Sequence, residues 1–208
     1  MVKLKIMGYS NFRKISQVTN KFDLDHELGD LFGKIKPIRP SNWLRESLNI
    51  ATEMPLTNEK SKAERLISPI LSEVARTYRY QLTLFSGEEL SVDAAQDLAG
   101  PCDFFFALHP PKMEMEAPVV SLAEAKDEDM DWGIAQCAAQ MYGAYLFNEQ
   151  HKKPIKVIFG CATTGVEWKF LKFENNIFTI DRHSLTDIGQ VLGVWHQILT
   201  TFLKPNLT

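Results

Sequence analysis

Val119-Val-Ser-Leu-Ala-Glu-Ala-Lys-Asp127 is the stretch whose reading decides the fold. It is an apolar run that ends with Glu124 and Lys126 two positions apart, and the period of a strand puts both side chains on one face. Burying a carboxylate and an ammonium at the end of an apolar strand is costly unless the two pair or bind a metal. A salt-bridged surface edge would satisfy the same pattern. Upstream, Cys102-Asp-Phe-Phe-Phe-Ala-Leu108 is a second apolar strand. It opens with Asp103, close enough in sequence for a neighbouring strand to set that carboxylate beside Glu124. Two carboxylates and a lysine then converge. Hard divalent cations such as magnesium take carboxylate oxygens and water, and a lysine beside that water can orient or deprotonate it for attack on a phosphodiester. Asp103 as a simple turn acid after Gly100-Pro101 is the alternative.

Working outward, period-two runs at 81–85 and 90–92 precede these strands, with Gly87, Gly100 and Pro110-Pro111 as separators. Before them, Leu66, Ile67, Ile70, Leu71 and Val74 recur at helical spacing across 58–78, with Pro69 forcing a kink or a restart. After them, Ile134, Cys137, Ala138, Met141 and Tyr145 mark a helix over 131–148, followed by a strand at 155–159. Two further β segments lie at 167–173 and 177–180. An amphipathic helix closes the chain, opened by the capping pattern Ser184-Leu-Thr-Asp187. The expected class is α/β, with core order α-β-β-β-α-β and a central mixed sheet flanked by helices. Residues 1–57 have weak periodicity, the breakers Pro37, Pro40 and Pro55, and one short helix at 41–52. They are expected as a lead-in packed on a main domain of 58–208.

With 208 residues, 45% apolar and 24% charged, the chain suits one globular domain with a full core. The first ten residues hold no apolar stretch long enough for a secretory signal, and nothing later approaches the roughly 20 apolar residues of a membrane span. A cytoplasmic protein with no membrane partner is expected. Cys102, Cys137 and Cys161 lack CxxC spacing and read as reduced core residues. The histidines His26, His109, His151, His183 and His196 form no close pair and read as loop or helix-surface residues. The net charge of -3 hides an asymmetry: residues 1–80 carry 14 Lys/Arg against 9 Asp/Glu, the remainder 9 against 17. A basic half of this kind could meet a polyanion, and uneven solvated charge is the bland alternative.

Asp103, then Glu124-Ala-Lys126, then a glutamine-bearing helix resembles the PD-(D/E)XK, or restriction-endonuclease-like, nuclease superfamily. Asn58-Glu-Lys-Ser-Lys-Ala-Glu-Arg-Leu-Ile-Ser-Pro-Ile-Leu71 resembles the first helix of the nuclease domain in type I restriction subunits. There a glutamate assists metal binding, a role the resemblance carries to Glu59. Ala63 stands where that family often has an arginine, and Glu64 is the competing acid. Gly133-Ile-Ala-Gln136-Cys-Ala-Ala-Gln140 is similar to the helix after the catalytic lysine, where relatives often show Gln-x-x-x-Tyr; Gln140 replaces the tyrosine. The two glutamines share a helix face, from which they could reach the site or a DNA phosphate. Thr163-Thr-Gly-Val-Glu-Trp168 is similar to the Thr-Asn-Gly-x-x-Trp turn of the same subunits, with a packing role expected for Trp168. The resemblance spans 58–173 and extends to small uncharacterised bacterial, notably cyanobacterial, proteins built on this domain.

The resemblance implies a magnesium- or manganese-dependent nuclease acting on DNA. Asp103 and Glu124 would hold the metal, Glu59 would help through water, Lys126 would position the attacking water, and Gln136 would assist. A homo-oligomer is compatible with it. The rival is a non-catalytic nucleic-acid-binding or assembly module of the same fold, since fold does not fix function. Other signatures fall short: Gly160-Cys-Ala-Thr-Thr-Gly165 has P-loop glycine spacing but continues Val-Glu, and no nucleophile elbow is present. The acidic run Asp127-Glu-Asp-Met-Asp131 reads as a solvated helix entry.

Overall fold

The structure, a computed structural model, describes residues 8–204. Residues 1–7, on which the absence of a secretory signal was partly read, lie outside the described residues, as do 205–208. Helix α1 (Ile15–Phe22), strand β1 (Asp25–Gly29) and helix α2 (Asn42–Thr52) precede the helix α3 (Glu59–Lys62). Then follow α4 (Ser68–Thr77), β2 (Thr83–Glu89), β3 (Pro101–Ala107), β4 (Val119–Ala125) and α5 (Met130–Gln150). The chain continues through β5 (Val157–Thr163), β6 (Trp168–Glu174), β7 (Ile177–Leu185) and α6 (Ile188–Thr200). The expected α-β-β-β-α-β order is present from α4 to β5.

The strands form one seven-stranded mixed sheet in the order β1-β7-β6-β5-β4-β3-β2. β2, β3 and β4 are an antiparallel meander, whereas β5 returns parallel to β4 by way of α5, and β1 lies parallel to β7. Apolar side chains bury both faces. α1 and α5 cover one, with Phe105, Leu122 and Phe173 beneath them. α2, α4 and α6 cover the other, around Phe106, Trp168, Phe170 and Trp195. Because α1 packs against its outer side, α5 is buried on nearly every face, as its lack of an apolar stripe requires. Among the described residues no helix is long and apolar enough to cross a membrane.

Local chemistry sets the element ends. The Ser41 hydroxyl accepts the Leu44 N–H at 3.2 Å and donates to Glu73 at 2.9 Å, capping α2 and tying it to α4. Asn58 caps α3, accepting the Ser61 N–H at 2.8 Å. Pro69 has no N–H to give to the carbonyl of Arg65, and the chain answers with a turn of π-helix over Ala63–Ile67 before α4 begins. Between β5 and β6, Gly165 takes φ +85° while its N–H donates to the Thr163 hydroxyl at 2.9 Å. Trp168, just beyond this turn, is fully buried.

Several expectations are corrected. Gly87 does not separate two strands but lies inside β2 at φ +70°, and 90–92 is loop. β5 starts two residues later and runs to Thr163, so the glycine-spaced 160–165 segment is mostly strand. Ser184 lies in β7; the cap of α6 is Asp187, which accepts the Gln190 N–H at 2.8 Å. His109 is buried, because the Pro110-Pro111 loop folds over it and its ring packs near Phe85. The first 57 residues add a strand to the sheet and place Phe32 and Leu44 in the core.

Candidate functional site

The register of β3 on β4 sets Phe104 opposite Ala123 and Phe105 opposite Leu122. Continued by one rung, that register sets Asp103 beside Glu124, whose carboxylate meets Gln140 of α5. Asp103 is pinned by the Ala125 N–H, which donates to its carboxylate at 2.8 Å. Lys126 lies just past the end of β4, held to β5 by its N–H bonded to the Thr163 carbonyl at 2.8 Å.

Lys126 Nζ donates to Glu124 Oε1 at 2.7 Å, and Gln140 Nε2 donates to Glu124 Oε2 at 2.7 Å. Both carboxylate oxygens are therefore engaged, although Glu124 is only 1% exposed and Lys126 4%. From the far side of the sheet edge, Glu59 at the start of α3 brings Oε2 to 3.5 Å from Lys126 Nζ. Asp103, Glu124, Lys126, Glu59 and Gln140 thus form one group. Glu64 is not part of it; it pairs loosely with Lys60 in solvent at 3.8 Å. With Glu59 and Asp103 it lines a cleft of about 400 Å³ between α3 and β2, floored by Ser86, Gly87 and Phe104. Gln136, one turn before Gln140, is buried with its side-chain carbonyl unpartnered. Asp127 is drawn aside by an ion pair with Lys62.

Burial is the largest single influence on Glu124, Asp103, Glu59 and Lys126. Desolvation first, then the charge of Asp103, pushes Glu124 up to about 8, against the pull of Lys126 and Gln140. Asp103 is also raised by burial, partly offset by the Ala125 N–H. Glu59 is raised by its partial burial, with Lys126 opposing. For Lys126, burial works against the ammonium, but Glu124 and then Glu59 and Asp103 outweigh it, and the pKa moves up. The lysine stays an ammonium.

Two contacts had no signal in the sequence reading. Trp132, on the first turn of α5, lies over Lys126 Nζ at 4.8 Å from its ring centre. Gly133 sits against the lysine stem, where a Cβ would come within 2.9 Å of Lys126 Cγ and 3.2 Å of Ala162 Cβ. A small residue at that point lets α5 close over the site.

Three carboxylates face one ammonium, and of the neighbouring pair Glu124 is buried and Asp103 half-buried. That imbalance suits a small divalent cation with oxygen ligands. As the side chains stand, Lys126 occupies the middle of the group. Among the described residues, no set of three or more His, Cys, Asp or Glu is arranged as a ready-made metal site. No family model matches the chain, and no curated protein matches it.

Proposed function

We propose that the chain is a PD-(D/E)XK-type hydrolase that cleaves DNA phosphodiester bonds with magnesium or manganese. The observation that carries this reading is the convergence of Asp103, Glu124, Lys126 and Glu59 at the end of β3 and β4, beside an open cleft. The meander followed by a parallel return strand supports it, because that order brings a strand-end acid and a Glu-x-Lys pair onto one rung.

Asp103 and Glu124 would hold the cation and Glu59 would reach it through water; when bound, such an ion neutralises charge that develops on the phosphoryl oxygens. Gln140 holds the Glu124 carboxylate in one orientation, and the Ala125 N–H does the same for Asp103. Lys126, kept charged by its acidic neighbours, donates hydrogen bonds to the attacking water and fixes its line of approach rather than removing its proton. Gln136 offers an unpartnered carbonyl on the same helix face, suited to accept from that water or from a sugar hydroxyl. Trp132 and Gly133 hold α5 close enough to exclude bulk water from the lysine.

Incubation of the purified chain with single-stranded and duplex DNA, with Mg²⁺ or Mn²⁺ and with chelator, tests the proposal. Cleavage that needs the cation supports it. If calorimetric titration finds no divalent ion bound at millimolar concentration and no DNA is cut, the hydrolase reading falls and a non-catalytic module takes its place.

A further inference from the structure

Two cations lie over one indole ring. Trp132 carries Lys126 Nζ at 4.8 Å from the ring centre and Arg13 Cζ at 3.5 Å. Arg13 comes from the N-terminal segment, and its backbone is anchored on both sides. Phe12 is buried, and the Arg13 N–H donates to the Gln17 side chain at 2.6 Å at the start of α1. The guanidinium is therefore delivered to the site by α1 packing on α5, although 119 residues separate Arg13 from Trp132 in the chain.

Nothing negative accounts for this placement. Among the described residues, no carboxylate lies within ion-pair distance of Arg13. The Trp132 N–H is buried without a hydrogen-bond partner, so the ring is not held by that group either. An exposed cation–π contact is a weak one. Against it stands the repulsion between two cations on one ring. A guanidinium lying flat on an aromatic face keeps its in-plane N–H groups free, and their fork matches a phosphate. A phosphate on the free edge of the guanidinium offsets that repulsion.

We infer that Arg13 is a strand-binding residue: held on Trp132, it takes a backbone phosphate of the DNA next to the one under attack. The inference rests on the hydrolase reading and adds a contact for a second phosphate of the strand. The site is built for a polynucleotide with phosphates on both sides of the attacked bond, rather than for an isolated phosphodiester.

Binding of a fluorescein-labelled single-stranded oligodeoxynucleotide, followed by anisotropy across a salt series in chelator, tests this without cleavage. Arg13→Ala should weaken binding about tenfold, as expected for loss of a charge-assisted hydrogen bond. It should also flatten the log–log salt slope by about 0.7, the share of one phosphate on single strands. Arg13→Lys keeps the charge but not the fork, so most of the slope should return while affinity recovers only in part. Lys14→Ala, which removes the adjacent charge, should leave both nearly unchanged. If Arg13→Ala lowers thermal stability but keeps wild-type affinity and slope, the stack is structural and the inference is overturned. An equal effect of Lys14→Ala also overturns it, because diffuse charge then suffices. Arg13-dependent binding without any metal-dependent cleavage keeps the inference and removes the hydrolase reading. Cleavage with wild-type binding by Arg13→Ala does the reverse.

Discussion

Helix α5 grips strand β4 at two places, and the two are built differently. At the far end, Asn148 clamps Val119: the Val119 N–H donates to its side-chain oxygen at 2.8 Å, and its amide donates back to the Val119 carbonyl at 2.7 Å. Every polar atom in that clamp is matched, and no charge is involved. Two helical turns earlier, Gln140 holds Glu124 with a single bond, its own carbonyl oxygen is unpartnered, and the neighbours are Lys126 and Asp103. The same helix and strand, equally buried, are satisfied at one end and left charged and incomplete at the other. Stability alone favours the first arrangement. On the proposed function, the second is a site that a ligand completes.

The sharpest way to break this comparison is Lys126→Ala. If the charged end does chemistry, turnover on DNA should fall by about 10²–10⁴-fold while circular dichroism stays that of the wild type. A variant that unfolds, or one that cuts normally, makes the charged end merely another structural clamp. Next is Glu124→Gln, which keeps the shape and removes the anion. Magnesium at a hundredfold excess over its Kd should stabilise the wild type by about 2.7 kcal/mol in thermal unfolding, and that gain should vanish in the variant. Asn148→Ala should behave the opposite way. Leaving the Val119 N–H and carbonyl buried and unpaired should lower stability by about 2 kcal/mol, read as a shifted urea midpoint, with the magnesium response intact.

The smallest expected effect is in pH dependence. Because Glu124 is raised to about 8 in the folded chain, its contribution to stability is full below the ordinary carboxylate range. It is lost as pH rises through that range to about 8, since the folded state then has to accept a buried charge. Asp103 and Glu59, also raised, act in the same direction. Thermal unfolding without metal should show a falling midpoint over this window in the wild type and a flatter profile in Glu124→Gln. The Asn148 clamp has no titratable group, so Asn148→Ala should keep the wild-type slope.

Much of the fold was legible because burial imposes a period on the sequence. The alternation in β3 and β4 and the helical spacing in 58–78 and 131–148 each had an apolar core to answer to. β1 was not legible: its residues are mostly exposed at the sheet edge, so no inward face selected its side chains. Gly87 read as a break because glycine is a usual turn signal, yet the β2–β3 register runs through it without a shift. Ser184 misled because a capping pattern is only a local preference, and pairing with β6 extends β7 over it.

At the site, the sequence by itself determined the members: Asp103, Glu124 and Lys126 from the charge embedded in apolar strands, Glu59 and the two glutamines from the resemblance. Their convergence was decided by tertiary structure. The register of β3 on β4 makes Asp103 and Glu124 neighbours, and a one-residue slip would have put them on opposite faces. The start of α3, on the other layer, chose Glu59 over Glu64 as the acid that meets Lys126. Arg13 and Trp132 were beyond sequence reasoning for the same reason. A contact across 119 residues arises from the packing of α1 on α5, and neither residue carries a local pattern that announces it.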